Sequence, residues 1–261
     1  MIAVDGVEVV YPNGTRALHP VSLTFARGAF AVLLGASGAG KSTLLRTLNG
    51  LVAPSGGQVT AEGIGVVAGR RRLARHRRRT GMIFQQHQLI GRASVLANVL
   101  TGRLGYQGPL RTLAPFPRAE KQRALDAIDR VGLLDCALKR ADALSGGQQQ
   151  RVGIARALVQ EPSLILADEP VASLDPASAA RVLDLLHGIC KADRLTAVVS
   201  LHQLEFARRY ADRIVALAHG RVVFDGPPGA LGDREVADIY GTALPSSDAE
   251  DDQPQRTGTY A

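Results

Sequence analysis

The chain has 261 residues, of which 46% are hydrophobic and 21% charged, enough for one globular domain or a domain carrying an inserted subdomain. Aromatic residues make up only 4% and tryptophan is absent, which argues against a site built on stacked rings of the kind single-strand nucleic-acid binders use. The net charge of +7, from 31 basic against 24 acidic residues, fits nucleic acid, an anionic membrane surface or an anionic ligand as partner.

Much of that excess lies in one run, Arg70-Arg71-Arg72-Leu73-Ala74-Arg75-His76-Arg77-Arg78-Arg79. It reads as a solvated helix or loop face, the alternative being contact with lipid headgroups or phosphate. Cys136 and Cys190 are far apart and lack metal-ligand spacing. Two reduced thiols and a cytoplasmic location are therefore expected. The opening residues carry neither a basic segment nor an apolar one, so no signal peptide is expected. No apolar run reaches the ~18 residues of a membrane span, and a membrane process would need another chain to supply the pore.

In chain order, residues 4–34 read as short strands broken by turns, with Pro12-Asn13-Gly14 as a turn signal. Phe30-Ala31-Val32-Leu33-Leu34 is a continuous apolar run ending at Gly35, as suits a strand buried on both faces of a mostly parallel sheet. A helix is expected over 41–48, stopped by Asn49-Gly50. From about 87 to 160 the chain changes character. Residues 107–117 hold three prolines and form a loop, and 119–131 place Leu125, Ile128 and Val131 on one helical face. This block reads as a helical insertion between core strands. Leu164-Ile165-Leu166-Ala167 is a second buried strand, 177–189 a helix, and Thr196-Ala197-Val198-Val199-Ser200-Leu201 a third strand. Ile214-Val215-Ala216-Leu217 and Arg221-Val222-Val223-Phe224 flank His219-Gly220 as a hairpin. Strands alternating with helices imply an α/β sheet. The tail after Ala243 is rich in Ser, Asp and Gln without periodicity, and is expected to be disordered.

Gly35-Ala36-Ser37-Gly38-Ala39-Gly40-Lys41-Ser42 fits G-x-x-x-x-G-K-[ST] between an apolar strand and a helix. Glycines let the backbone wrap closely round phosphates, and free N–H groups at the helix start face negative charge. In this motif Lys41 reaches the β- and γ-phosphates, Ser42 ligates Mg²⁺, and Thr43 adds a hydroxyl contact. The strand 164–167 then delivers Asp168-Glu169-Pro170. A carboxylate brought beside a phosphate loop by a buried strand holds the metal, which assigns Asp168. Glu169 is placed to orient or deprotonate the attacking water.

Leu144-Ser145-Gly146-Gly147-Gln148 carries the family resemblance, matching the signature of ABC ATPases. Ser145 and Gln148 also have the spacing of a capping box, and Val152, Ala155, Leu158 and Val159 give the following helix an apolar face. The start of that helix is a second anion-facing terminus. The other motifs resemble the family's in order: Tyr11 upstream, where an aromatic stacks on adenine; Phe84-Gln85 as the Q-loop, with Gln85 touching metal or water; Ser173-Leu174-Asp175 as the D-loop; and His202 as the switch histidine. The resemblance implies an α/β P-loop NTPase core with a mostly parallel sheet, an antiparallel β subdomain and an inserted α-helical subdomain. It spans residues 1–241, with 242–261 as a tail. It also implies a homodimer in which the Lys41 loop of each copy faces the Ser145 loop of the other across ATP and Mg²⁺. Glu169, His202 and Lys41 are then the catalytic residues.

Finer strings resemble the ATP-binding subunit of phosphonate importers. They are Gln85-Gln86-His87-Gln88-Leu89, Ser94-Val95-Leu96-Ala97-Asn98-Val99-Leu100, Gly102-Arg103-Leu104-Gly105-Tyr106, residues 167–176, Ser200-Leu201-His202-Gln203 and Phe224-Asp225-Gly226-Pro227-Pro228. His87 departs from the phenylalanine expected there. Phosphite or another phosphorus oxyanion fits the same resemblance. It implies integral membrane permease subunits as partners, a periplasmic solute-binding protein acting indirectly, and a peripheral position on the cytoplasmic face of the inner membrane. No nucleic acid is expected. A chromosome-maintenance ATPase would separate the two nucleotide motifs by a long coiled coil, whereas about 100 residues without sustained heptads lie between Ser42 and Leu144. A translation-associated ABC protein would carry two cassettes.

Overall fold

A computed structural model describes residues 1–85, 88–107 and 115–241. Ten strands and eight α-helices among them form two sheets with helices packed on both sides. Strands β1 (Ile2–Val10), β2 (Arg16–Phe25), β4 (Gly56–Ala61) and β5 (Gly65–Val66) make an antiparallel sheet in the order β2-β1-β4-β5. The larger sheet is built on β3 (Phe30–Leu34), β6 (Thr80–Ile83), β7 (Leu164–Ala167), β8 (Thr196–Leu201), β9 (Arg213–Ala218) and β10 (Arg221–Gly226). Its order is β10-β9-β3-β8-β7-β6, parallel except where β9 turns back into β10.

The apolar run of β3 is explained by its surroundings. Phe30, Val32 and Leu34 enter one buried cluster, shared with helices, and Ala31 and Leu33 enter another, shared with the antiparallel sheet. A strand with core on both faces has no polar side to show. β8 and β9 are consecutive in sequence yet lie on opposite sides of β3. The crevice where such a sheet divides, at the carboxyl ends of its strands, is the usual ligand position in α/β folds.

Helix α1 (Lys41–Leu48) leaves β3 and ends at Asn49 and Gly50, as the sequence predicts. The arginine run forms α2 (Arg70–Arg78). Its arginines are exposed, but His76 is buried with its Nε2 2.8 Å from Leu48 O, and Arg77 bonds the carbonyls of Asn49 and Gly50. The face is thus solvated on one side and tied to the end of α1 on the other.

Between β6 and β7 come α3 (Val95–Leu100), α4 (Arg118–Arg130) and α5 (Gly146–Leu158), which contact one another. Arg103, in the 3-10 turn after α3, is buried and paired with Glu120 of α4 at 2.5 Å. That contact holds the Glu120 carboxyl below its ordinary range. Helix α6 (Pro176–Ala192) is longer at both ends than the expected 177–189, because Asp175 caps it and Pro176 fits its first turn. Helices α7 (Leu204–Tyr210) and α8 (Asp233–Tyr240) close the described chain. Strand β6 was not anticipated. It is four residues long, follows the arginines directly and contains Gly81, where a Cβ would stand 2.8 Å from Ile165 Cδ1. No helix among the described residues is long and apolar enough to cross a membrane. His87, part of the proline-bearing loop and the tail lie outside the described residues.

Candidate functional site

The loop from β3 to α1 is shaped by what surrounds it. A Cβ on Gly35 would stand 2.3 Å from Leu217 O of β9, and one on Gly40 would stand 2.8 Å from Ala17 O of β2. Gly38 and Gly40 also take φ of +80° and +104°. The tip of the β9–β10 hairpin fastens the loop from outside, since Gly220 N–H donates to Ala39 O at 3.1 Å and Gly220 O accepts from His19 N–H at 2.9 Å. Glycine is therefore demanded by packing at 35 and 40 and by conformation at 38 and 40.

Lys41 is only 4% exposed, and its Nζ donates to Gly35 O at 2.8 Å and Ala36 O at 3.0 Å. The Glu169 carboxylate lies 3.4 Å away. A buried ammonium held by carbonyls at the mouth of a helix N-terminus is poised for an anion. Beside it, Ser42 Oγ donates to Asp168 Oδ1 at 2.7 Å. Asp168 follows β7, is buried, and has its N–H bonded to Ile83 O.

Sheet register brings the remaining groups to the same edge. Leu34 pairs with Leu201 and Ala167 with Val199, so Gly35, Asp168 and His202 all leave at the carboxyl edge. His202 is exposed, and its carbonyl accepts from Tyr240 Oη at 2.7 Å. Glu169 stands at φ +46°, a conformation that costs a non-glycine residue about 1–3 kcal/mol and that persists only where surroundings enforce it. The enforcing group is Ser200, fully buried in β8. Its Oγ accepts from Glu169 N–H at 2.8 Å and lies 3.1 Å from Asp168 Oδ1, to which it donates. Ser200 was not among the site residues expected from sequence. Its signal was there: a hydroxyl in an otherwise apolar buried strand must have a partner.

Tyr11 is half-buried beside α1, its hydroxyl 3.2 Å from Thr43 Oγ1. Gln85 is exposed, two residues beyond β6. The signature residues form a separate place. Ser145 caps α5, accepting from Gln148 N–H at 3.4 Å while Gln148 Oε1 accepts from Ser145 N–H at 3.0 Å, which is the expected capping box. Leu144 is buried before it. A Cβ on Gly146 would meet Leu174 Cδ2 at 3.4 Å, and one on Gly147 would stand 4.0 Å from Ser178 Cβ. The 173–175 segment thus packs against the signature turn. Asp175 Oδ1 accepts from Ser178 N–H at 2.9 Å, and the bonds to Ser178 hold its carboxyl below the usual range. A cavity of about 510 Å³ opens at this terminus, lined by Ser145, Gly147, Gln148, Arg151, Ser178 and Arg181 among others, with no residue of the 35–43 loop.

The model of the ABC transporter family matches residues 18–172, from β2 through the phosphate loop and signature to the residues after Glu169. The chain belongs to the ABC transporter family. Among curated relatives of this ABC chain, the phosphite import ATP-binding protein PxtA of Stutzerimonas stutzeri is 61% identical over 92% of this chain and 87% of its own. The phosphonates import ATP-binding protein PhnC 3 of Nostoc sp. is 56% identical over 93% of each. Among solved structures, cbiO1 of Clostridium perfringens, part of an ABC transporter complex, superposes with a TM-score of 0.78 at 30% identity, over 91% of this chain and 92% of its own. A dimeric ATP-binding cassette in a post-hydrolysis state with ADP and Pi gives 0.77 at 34%, over 87% and 99%. The α/β fold expected from the motifs is that of these ABC cassettes.

Proposed function

We propose that this chain hydrolyses Mg·ATP as one half of a two-chain sandwich and thereby drives uptake of phosphonate through membrane permease subunits. The observation that carries the chemistry is the cluster of Lys41, Ser42, Asp168 and Glu169, joined by contacts of 2.7 and 3.4 Å at one sheet edge. The relatives named for phosphonate and phosphite import support the solute class.

The residues assign the steps. The N–H groups of residues 35–43 and Lys41 bind the phosphates, and Tyr11, beside Thr43, would stack on adenine. Ser42 and Asp168 offer only oxygen, the donor type of a hard divalent cation, and Gln85 adds another oxygen at the same edge. No group of three or more His, Cys, Asp or Glu side chains among the described residues could hold a metal unaided, so nucleotide and water complete the set. An Mg²⁺ held by Ser42, Asp168 and Gln85 would neutralise charge on the transferring phosphate. Glu169, fixed by Ser200, orients the attacking water and accepts its proton, while His202 supports the γ-phosphate. Catalysis is then positioning and electrostatic stabilisation. Ser145, Gly147 and the rest of the signature serve the nucleotide of the partner copy, and Ser173, Leu174 and Asp175 run between the two sites. A periplasmic solute-binding protein would deliver the solute, and this chain would sit peripherally on the cytoplasmic face.

Phosphite is the second reading, favoured by the 61% identity to the phosphite import protein. Uptake of labelled methylphosphonate and of phosphite by a deletion strain, complemented with this chain or with Glu169→Gln, tests both. Phosphonate uptake restored only by the unmodified chain is expected. Restoration of phosphite uptake alone moves the assignment to phosphite, and restoration by Glu169→Gln removes that residue from hydrolysis.

A further inference from the structure

The nucleotide site occupies the carboxyl ends of the parallel strands. At their opposite ends lies a cavity of about 430 Å³, bounded by the edge of the antiparallel sheet, the end of α2, the starts of β6, β7 and β8, and the end of α6. Its volume is that of a small-molecule site. We propose that this cavity binds a compact di- or triphosphate anion through Arg27, Arg79 and Arg194.

None of these three guanidiniums has a carboxylate within ion-pair distance among the described residues. The two carboxylates on the cavity wall are engaged by other cations, Glu62 by the Met1 ammonium at 2.8 Å and Asp193 by Arg130 at 2.6 Å. The wall carries four formal positive charges (Met1, Arg27, Arg79 and Arg194) against two negative ones (Glu62 and Asp193), so the concavity is net positive although Arg27 also acts on the Glu62 carboxylate. Guanidinium groups of this kind suit phosphate oxygens, which they bind bidentately.

Each arginine is also held in place by its backbone, on a different element. Arg27 lies in a turn whose Gly28 N–H donates to Thr196 Oγ1 at 3.1 Å. Arg79 ends α2, and its carbonyl accepts from Ser163 and Leu164 N–H at 2.9 and 3.2 Å, over the start of β7. Arg194 follows the Asp193 cap of α6 at φ +53°, with Arg194 N–H bonded to Lys191 O and Leu195 N–H to Cys190 O. That is a helix end in which glycine or asparagine is the favoured residue, and the chain places arginine there instead. Arg194 is itself a wall residue of the cavity. His76 closes the inner side, held at Leu48 O and disfavoured from protonation by its burial.

The probe is inorganic tripolyphosphate, titrated calorimetrically into the full chain carrying Lys41→Ala, so that the nucleotide loop does not compete. One saturable site is expected. Adding Arg79→Gln or Arg194→Gly should weaken it at least tenfold, whereas Arg71→Gln on the exposed face of α2 should change it less than twofold. Arg194→Gly relieves the left-handed backbone, so its thermal midpoint should hold or rise, which separates loss of binding from loss of fold. Three results overturn the site: no saturable heat, tripolyphosphate affinity unaffected by Arg79→Gln and Arg194→Gly, or equal weakening by Arg71→Gln, which would mean diffuse attraction to a basic surface.

Discussion

Ser200 tests the reasoning about the hydrolytic centre most directly, because it touches no nucleotide in the proposed mechanism and yet holds both acidic residues. Ser200→Ala removes the acceptor of Glu169 N–H and the donor to Asp168 Oδ1. An N–H left without a partner costs about 1–3 kcal/mol, and a hydrogen bond to a charged group contributes about 1.5–3 kcal/mol. Glu169 is partly open to solvent, so water replaces part of the first loss, and a total near 3 kcal/mol is expected. For a domain of this size that lowers the thermal midpoint by roughly 5–10 °C. The effect on rate comes from Glu169, which loses the bond that enforces its left-handed backbone. A displacement of about 1 Å at a catalytic group costs on the order of 100-fold, so kcat should fall ~10–100-fold. ATP affinity should stay within a few-fold, since the bonds of Lys41 to Gly35 and Ala36 are untouched. Steady-state ATPase assays, nucleotide binding and thermal unfolding of the purified variant measure the three quantities. Wild-type kcat with an unchanged midpoint would show that Ser200 positions neither acid.

Glu169→Gln should bind ATP and hold two chains together while reducing turnover at least 100-fold, a loss in the range typical of general acid–base catalysis; sizing chromatography with trapped nucleotide reads the dimer, and a monomer under those conditions counts against the sandwich. Arg103→Ala should destabilise the chain by ~3 kcal/mol, the low end for breaking a buried pair because Glu120 is partly exposed; urea unfolding measures it, and a change under ~0.5 kcal/mol would reduce the contact to a surface one. The burial of His76 lowers its folded pKa below 6.5, so the unfolded chain takes up the proton first and stability drains away as pH falls through 6.5. This one group adds a slope of up to ~1.4 kcal/mol per pH unit below that point, and His76→Gln should remove it; parallel pH profiles for the two proteins would assign the slope elsewhere.

How much of this could be read from the residues depends on how strongly each segment is constrained. β3, β7 and β8 were legible to the residue because apolar side chains on both faces leave no ambiguity of period. β4 and β6 were not, because Gly56-Gly57-Gln58 and Gly81 carry little strand preference and their pairing is decided by neighbours distant in sequence. The phosphate loop announced itself by glycines. Only the structure shows that Gly35 and Gly40 answer to Leu217 and Ala17, which come from opposite ends of the chain. Ser200 stayed hidden for a similar reason. Its importance lies in two partners more than 30 residues away, Asp168 and Glu169.

The contact between Leu174 and Gly146 gives the division of labour a physical form. Within one chain, Glu169 belongs with Lys41, while the cavity at Ser145 is lined without any residue of the phosphate loop. In the proposed function, each chain therefore presents a hydrolytic centre and, elsewhere, a terminus suited to an anion that its own centre does not hold. The stretch from Asp168 to Asp175 joins them: it begins at the carboxylate proposed to hold the metal, turns at the strained Glu169, lays Leu174 against the signature glycine and ends by capping α6. A shift of Glu169 on hydrolysis has a short covalent path to the turn that, in the proposed sandwich, grips the partner's nucleotide. At Gly146 the two segments lie close, since an added Cβ would stand in ordinary van der Waals contact with Leu174 Cδ2 at 3.4 Å. In the proposed sandwich, two sites joined by so short a covalent path are expected to respond to one another.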